Sequence, residues 1–275
     1  MSDCLSLRGV SKSFEAGVRG CSATVRVLND LDLDMYAGEI VGVHAAPSSG
    51  KTTLLMCAAG LLRPDRGAVS WFGRPATRNA AGRPDGIAFV SDRPFPYAFL
   101  SVREAVEYAA IVRDLPLADH SARVSEALER TRLAAIAHRR VDALDGGQVS
   151  RLALASALLS SPRLLLVDDL GSGCDATTAL ELLTLLRSTA AGGAGVLIAG
   201  RLVPWLASED ATRRPRVAPA SLATRVPGRF VSLVGGKIGM VAHGAADVPR
   251  RASAPLAAAR VAEWALPSAR QNEAR

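Results

Sequence analysis

The chain has 275 residues, 49% of them hydrophobic, with a formal net charge of +7 and four cysteines. This length allows one large domain or two small ones with a substantial core, and no apolar run approaches the roughly 20 residues that span a bilayer. The cysteines show neither metal nor redox spacing, and the first residues lack the pattern of a secretion signal. We therefore expect a reduced, cytosolic protein.

The positive charge is concentrated at the C-terminal end of the chain. Residues 200–275 hold 12 Lys and Arg against 5 Asp and Glu, which accounts for the entire net charge of +7. A basic segment of this kind is compatible with nucleic acid or with an anionic membrane surface. Its richness in Ala, Pro and Arg is more typical of a solvated segment, so we predict a basic, flexible tail over 243–275.

The N-terminal part of the chain is predicted to be β-structure. Alternating apolar and polar side chains predict strands over 5–10 and 25–35. The stretch 15–24 between them contains glycines and no apolar period, so it predicts a loop. Two further strands are predicted over 68–72 and 87–90.

Residues 39–60 predict a buried strand, a loop and then a helix that ends at Gly60. The loop and the start of the helix form what we call the phosphate loop, which consists of Ala45, Ala46, Pro47, Ser48, Ser49, Gly50, Lys51, Thr52 and Thr53. In such a loop, backbone N–H groups hold phosphate, Lys51 reaches the β/γ oxygens, and the Thr52 hydroxyl binds Mg²⁺. The usual pattern has glycine at the positions of Ala45 and Ser48. A Gly-Lys-Thr met by chance is the alternative, but the flanking strand and helix favour nucleotide phosphate binding.

A helical stretch interrupts the strands in the middle of the chain. Ser101 and Glu104 have the spacing of a capping box, and helical periodicity continues to 113 and again over 118–133. These helices predict an inserted helical subdomain over about 93–147.

Strands and helices alternate again after this insertion. Helices are predicted over 149–159 and 175–188, and strands over 163–167 and 195–199. This alternation predicts a parallel α/β sheet. Residues 230–241, with Gly235 and Gly236 at the centre, predict a β-hairpin.

Two short motifs add chemistry to these elements. The strand Leu-Leu-Leu-Val ends in Asp168, and an apolar strand that ends in Asp is typical of a second Mg²⁺ ligand in phosphate-loop enzymes, although buried strands often end this way. The second motif, which we call the signature loop, opens a helix whose N–H groups can form an anion site. A plain loop and helix cap is its simpler interpretation. The signature loop consists of Leu144, Asp145, Gly146, Gly147 and Gln148.

In order and spacing, these motifs resemble the nucleotide-binding subunit of ABC transporters over roughly residues 5–206 and the hairpin near Phe230. The resemblance is carried by GEIVG at 38–42, GKTTLL at 50–55, AGLLRPDRG at 59–67, and the signature loop shortly before the Asp168 strand. It implies an α/β fold of the P-loop NTPase class and ABC type. The sheet core is mixed or parallel, with an N-terminal antiparallel β subdomain and an inserted helical subdomain.

The resemblance also implies a division of the chain and a set of partners. Residues 1–206 would form the nucleotide-binding domain, 207–228 a linker, and 229–242 a hairpin that packs on the domain. ATP and Mg²⁺ would be the cofactors. Two such subunits would dimerise head to tail, so that each ATP lies between one phosphate loop and the other subunit's signature loop. The pair would drive a separate membrane-spanning subunit, with this chain peripheral on the inner face of the cell membrane.

Further residues receive roles from the same resemblance. Phe14 would stack on adenine, with a core Phe as the alternative interpretation. Asp175 would contact the opposite subunit, although a plain helix N-cap would look the same. Asp92 would contact the metal together with Thr52 and Asp168.

An aromatic stretch falls where the family's groove receives a helix of the membrane subunit. Residues 94–99 contain Phe95, Tyr97 and Phe99, three of the chain's twelve aromatic residues. Packing inside the helical subdomain is an equally good interpretation.

The chain departs from the family at the positions that act on ATP. Asp169 stands where the family has a catalytic Glu, and its carboxylate is about 1 Å too short, a misplacement that can cost on the order of 10²-fold. Arg201, or Gly200 with a one-residue slip, replaces the switch His. Asp92 replaces Gln, and Asp145 replaces the Ser of the signature loop, where a carboxylate would face a partner's γ-phosphate.

These departures affect both composite sites, so we predict ATP binding with slow or absent hydrolysis. The leading hypothesis is the ATP-binding subunit of an ABC transporter. The alternative is a degenerate regulatory subunit that pairs with a competent paralogue. A soluble ATPase acting on nucleic acid ranks lower, because the sequence has one phosphate loop and no sustained heptads, and we expect no nucleic-acid partner.

Overall fold

The computed structural model describes residues 3–18, 21–76, 86–91, 97–171, 174–200 and 228–243. These residues form two β-sheets with helices packed against them. The strands are β1 (Asp3–Val18), β2 (Cys21–Tyr36), β3 (Ile40–His44), β4 (Arg66–Trp71), β5 (Arg74–Pro75), β6 (Ile87–Val90), β7 (Leu164–Asp168), β8 (Gly195–Ala199), β9 (Gly228–Val234) and β10 (Lys237–His243). The helices are α1 (Lys51–Ala58), α2 (Val102–Val112), α3 (His120–Arg130), α4 (Gly146–Leu158) and α5 (Ala176–Ala191).

The larger sheet has the strand order β10-β9-β3-β8-β7-β6. Its inner strands run parallel, and β10 is antiparallel to β9. The strands β7 and β8 are buried along their whole length, as expected for continuous apolar runs in a parallel sheet covered on both faces. Side chains of α1 pack on one face and side chains of α5 on the other. The predicted mixed sheet of the P-loop class is confirmed.

The smaller sheet is antiparallel, with the order β2-β1-β4-β5. Here the predicted loop over 15–24 is wrong, because β1 and β2 continue as paired strands to Val18 and Cys21. The far half of this hairpin carries exposed residues such as Phe14, Glu15 and Val25. Exposed strand residues of this kind need not alternate with apolar ones, so the sequence pattern did not reveal these strands.

The helical subdomain forms its own hydrophobic cluster. Side chains of α2 and α3 pack with Leu152, Ala155 and Leu159 from α4 and the residue that follows it. The predicted capping box is present, since the Ser101 hydroxyl accepts from the Glu104 N–H and the Glu104 carboxylate accepts from the Ser101 N–H. The helix α4 begins at Gly146, three residues earlier than predicted. The predicted helix over 118–133 is instead a 3₁₀ turn (Leu117–Asp119) followed by α3.

The predicted C-terminal hairpin is present as β9–β10, and it forms one edge of the larger sheet. A shielded ion pair links it to the turn before β3, with the Arg229 Nε 2.9 Å from a carboxylate oxygen of Glu39. The other Glu39 oxygen accepts from the Tyr36 N–H at 3.0 Å. In the described ranges, no helix is both long enough and apolar enough to cross a membrane.

Candidate functional site

The phosphate loop lies at the carboxyl end of β3, between β3 and the first turn of α1. The helix begins after Gly50, whose φ of 95° is left-handed, and no side chain caps its first turn. Its N–H groups and dipole are therefore open to an anion. Ser48 has a φ of 59°, so it occupies a conformation that glycine adopts more easily, at a cost of roughly 1–2 kcal/mol. Ala45 needs no such conformation and packs against the core.

The Lys51 side chain folds back over this loop. Its ammonium donates to the carbonyl oxygens of Ala45, at 3.0 Å, and Ala46, at 2.7 Å. Burial lowers the pKa of Lys51, while the nearby carboxylates of Asp169 and Asp168 act in the opposite direction. The Lys51 ammonium therefore lies near enough to the end of β7 to interact with both carboxylates.

The two aspartates at the end of β7 differ in their surroundings. Asp168 is only 6% exposed, whereas Asp169 is half-buried and has a left-handed φ of 49°. Gly200 follows β8 directly and touches Asp169, because a methyl group added to Gly200 would lie 2.5 Å from both Cα and Oδ1 of Asp169. Position 200 therefore has no room for a histidine or any other side chain in this conformation. Arg201, the other predicted replacement for the switch histidine, lies outside the described residues.

The residues at this edge of the sheet fit a magnesium ion held together with a phosphate. Thr52 presents an exposed hydroxyl in the first turn of α1, and Asp168 supplies a carboxylate, both of which are hard oxygen ligands. Across the described ranges, no group of three or more His, Cys, Asp or Glu side chains could hold a metal alone. Mg²⁺ takes few protein ligands and completes its shell with phosphates and water, so a hydroxyl and a carboxylate beside a phosphate are a suitable ligand set. Asp92, the remaining predicted ligand, lies outside the described residues.

The buried cysteines play no part in this site. Cys4 and Cys57 are free and buried, and burial raises the pKa of each thiol to about 11. They remain protonated near neutral pH and are poor ligands and nucleophiles.

The signature loop forms a complete capping box at the start of α4. The Asp145 carboxylate accepts from the Gln148 N–H at 2.8 Å, and the Gln148 side-chain oxygen accepts from the Asp145 N–H at 3.2 Å. The exposed carboxylate therefore satisfies one of the N–H groups that would otherwise serve an anion, and it adds negative charge at this helix end. The interpretation of this segment as a loop and cap describes its geometry correctly.

The first turns of α4 and α5 are packed together. A methyl group added to Gly147 would lie 2.8 Å from the Thr178 methyl carbon, which explains why glycine stands at this position. The carboxylate of Asp175 accepts from the Thr178 N–H at 2.7 Å as the cap of α5, and this hydrogen bond lowers the pKa of Asp175. The predicted dimer-contact residue is thus also an N-cap, and it is exposed beside the signature loop.

A family model described as ABC transporter matches residues 28–193, more than half of the chain. The chain belongs to the ABC transporter family. The matched range contains the phosphate loop, the signature loop, and the Asp168–Asp169 pair, so the geometry above is that of an ABC nucleotide-binding domain.

Several curated ABC proteins are similar to this chain. The methionine import ATP-binding protein MetN of Nocardia farcinica is 32% identical over 250 residues, which cover 80% of this chain and 72% of that protein. The macrolide export ATP-binding/permease protein MacB 1/2 of Paracoccus denitrificans is 34% identical over 199 residues, or 70% of this chain. The sulfate/thiosulfate import ATP-binding protein CysA of Thermosynechococcus vestitus is 33% identical over 183 residues, or 66% of this chain. The chain spans 29% of the MacB protein's length and 52% of the CysA protein's.

Solved ABC cassettes share the fold. A dimeric cassette in a post-hydrolysis state, bound to ADP and phosphate, superposes with a TM-score of 0.69 at 23% identity over 87% of this chain and 98% of that chain. A nucleotide-free cassette gives a TM-score of 0.70 at 18% identity over 96% of this chain and 99% of that chain.

In this ABC domain, Phe14 lies on β1 and is 39% exposed, so its interpretation as a core residue is wrong. The Lys12 ammonium lies 5.7 Å from the centre of its ring. Asp65 fixes this stretch, because its carboxylate accepts from the Lys12 ammonium and from the Ser13 N–H, both at 2.7 Å. The β1–β2 pairing has a register shift between Lys12 and Ser13. Such a shift changes the direction of the side chains that follow, as β-bulges do.

The described part of the aromatic stretch also lies at the surface of this ABC domain. Phe99 is 65% exposed, and Tyr97 contacts both Phe99 and Tyr108 edge to face, with ring centroids 6.0 and 4.9 Å apart. Tyr97 therefore packs against Tyr108 of the helical subdomain, as the second interpretation has it, whereas Phe99 is exposed. Phe95 lies outside the described residues.

Sequence reasoning missed two residues of the site. Asp65 receives no role from its sequence context, and Gly200 is considered only as a displaced switch position. A glycine immediately after a buried strand is a signal of close backbone approach that would have identified Gly200. No comparable local signal identifies Asp65, because its partners on β1 are distant in the sequence.

Proposed function

We propose that this chain is the ATP-binding subunit of an ABC transporter and that it couples ATP binding to a separate membrane-spanning subunit. One observation carries the proposal. Lys51 stands at the uncapped start of α1, within electrostatic reach of both Asp168 and Asp169. This arrangement suits a nucleoside triphosphate with its metal, because it combines a cation, an open helix N-terminus and a buried carboxylate.

Each group at the site has a defined task in this proposal. The N–H groups of residues 48–53 hold the phosphates, and Lys51 exchanges its two carbonyl partners for phosphate oxygens. Thr52 and Asp168 hold the metal, with Asp92 as a further ligand. Bound Mg²⁺ neutralises charge on the phosphates.

Hydrolysis is attenuated in this chain. Asp169 serves as the base that orients water, but its reach is one methylene shorter than that of Glu. Gly200 supplies no side chain to hold a γ-phosphate beside it, and a role for Arg201 rests on the sequence alone. Asp145 brings negative charge to the signature loop, where a partner's γ-phosphate would be bound.

The proposed partners are a second ABC ATPase subunit and a membrane subunit. The exposed position of Asp175 beside the signature loop suits contact with a second subunit. The exposed ring of Phe99, beside the half-buried Tyr97, suits an apolar helix of a membrane subunit. Two of the similar proteins are named as import ATP-binding proteins and one as an export ATP-binding/permease protein, which supports association with a transport system. The inner face of the cell membrane is the proposed location.

A regulatory subunit that pairs with a competent paralogue is a second candidate. The observation in its favour is that the chain departs from the family pattern both at its own nucleotide site and at the signature loop, which would face the partner's nucleotide. Asp169 acts on this chain's own nucleotide, and Asp145 acts on the partner's. A chain of this kind would bind ATP and leave hydrolysis to its partner, and copurification of a second ATPase chain would favour it.

Replacing Phe14 with alanine tests the ATP-binding geometry. We expect affinity for ATP to fall roughly tenfold, because stacking of a base on an aromatic ring contributes about 1–3 kcal/mol. Affinity for inorganic tripolyphosphate, which has no base, should be unchanged. Fluorescence titration with a labelled ATP and competition with tripolyphosphate provide the measurement.

Two variants control for this change. Phe14→Tyr should retain ATP affinity, and Val25→Ala alters the exposed cross-strand neighbour of Phe14 without removing the ring. Equal losses for ATP and tripolyphosphate in Phe14→Ala would show that the hairpin had been disrupted and that Phe14 does not bind the base.

A further inference from the structure

The phosphate loop and the C-terminal hairpin meet at one short stretch of β2. A methyl group added to Gly50 would lie 2.6 Å from Cγ1 of Val27 and 3.2 Å from the Val27 carbonyl oxygen. A methyl group added to Gly236 would lie 2.6 Å from the same oxygen and 3.1 Å from Cα of Leu28. Two glycines that are distant in the sequence therefore pack against the same peptide group.

The hairpin tip is held firmly at this contact. Gly235 and Gly236 have φ values of 56° and 77°, as expected for a two-residue turn between paired strands. The Gly236 carbonyl accepts from the Asn29 N–H at 2.8 Å. The strand β9 pairs with β3 as far as His44, which leads directly into the phosphate loop. The tip therefore cannot withdraw from β2 without disturbing strand pairing.

From this contact, we propose that Gly236 is a positioning residue for the phosphate loop and acts through Val27. The absence of a side chain at 236 lets β2 take the position that in turn fixes Gly50, where α1 begins. The inference rests on the proposed nucleotide binding at this loop. It assigns to the C-terminal hairpin a role in nucleotide affinity, although none of its side chains belongs to the phosphate-binding machinery.

Gly236→Ala and Gly235→Ala form a matched pair of variants. Both positions have positive φ, so both substitutions carry a similar backbone penalty. Only Gly236 has a neighbour, since nothing lies within 4 Å of a methyl group added to Gly235. We expect Gly236→Ala to weaken binding of fluorescent Mg-ADP about tenfold or more, because small displacements of binding groups are costly. Gly235→Ala should stay within about twofold of the unaltered protein.

A double variant separates positioning from simple loss of stability. Val27→Ala removes Cγ1, the atom closest to Gly50, and so should uncouple the phosphate loop from a displaced β2. We expect Val27→Ala to restore the ADP affinity of Gly236→Ala but not its Tm, which is a coupling between the two sites. Additive losses in both affinity and Tm would overturn the inference, as would equal affinities of the two glycine variants.

Hydrogen exchange on the unaltered protein keeps the inference testable if Gly236→Ala does not fold. Mg-ADP should slow exchange at the Asn29 amide as well as in the phosphate loop. Protection confined to the phosphate loop would contradict the inference. A protein that binds no ADP at all contradicts the proposed function instead, so the two failures are distinguishable.

Discussion

Replacing Lys51 with alanine is expected to remove most of the affinity for Mg-ATP. The ammonium is half-buried and donates to two loop carbonyls, at 3.0 and 2.7 Å. Without the ammonium, the phosphates would approach the carboxylates of Asp168 and Asp169 with less compensating positive charge. Removal of one partner from a shielded charge pair costs about 2–5 kcal/mol of binding free energy, which corresponds to a decrease in ATP affinity of roughly 30-fold or more. Equilibrium binding of labelled ATP measures the effect.

A matched control removes a cation that the site does not use. Arg187 is an exposed residue on α5, and Arg187→Ala should leave ATP affinity within about twofold of the unaltered protein. Circular dichroism would establish that Lys51→Ala remains folded at the titration temperature. ATP binding by a folded Lys51→Ala variant within about threefold of the original affinity would contradict the assigned site.

Replacing Asp169 with glutamate is expected to accelerate ATP hydrolysis. The added methylene extends the carboxylate by about 1 Å toward the attacking water, and correcting a misplacement of that size can recover on the order of 10²-fold in turnover. ATP affinity should change little, because the residue acts on water and not on the phosphates. A small loss of stability should accompany the change, since Asp tolerates the left-handed φ of 49° better than Glu does. Steady-state phosphate release measures the turnover.

The same chemical change elsewhere provides the control. Asp142 is exposed and forms an ion pair with Arg140 at 2.6 Å, so Asp142→Glu should leave turnover unaltered. If Asp169→Glu hydrolyses ATP no faster than the unaltered protein, the length of this side chain is not what limits the reaction. In that case, the Asp145 carboxylate at the signature loop would become the principal restraint.

The strands and helices that carry the candidate site were largely predictable from the sequence. The strand before Ala45, the helix from Lys51 and the strand that ends in Asp168 each follow from short apolar runs bounded by clear signals. The capping pattern at Ser101 was also predictable, because it depends only on residues three positions apart.

The features that the sequence did not reveal depend on long-range contacts. The outer half of the β1–β2 hairpin carries exposed residues such as Phe14 and Val25, so apolar alternation does not mark it. The contact of Gly200 with Asp169 and the contact of Gly236 with Val27 arise only when separate strands come together. Asp65 was likewise not recognised, because the N–H group from which it accepts a hydrogen bond belongs to Ser13 on β1. Patterns of residue spacing carry no information on such pairings.

Mg-ATP turnover by the purified chain, with bound nucleotide counted in the same samples, tests the proposed attenuation of hydrolysis most directly. We expect the chain to bind ATP and to hydrolyse it at about 0.1 s⁻¹ or less, two orders of magnitude below an ordinary enzyme rate of roughly 10 s⁻¹. Turnover near that ordinary rate, lost in Lys51→Ala, would contradict this expectation by showing that Asp169 and Asp145 do not impair the site.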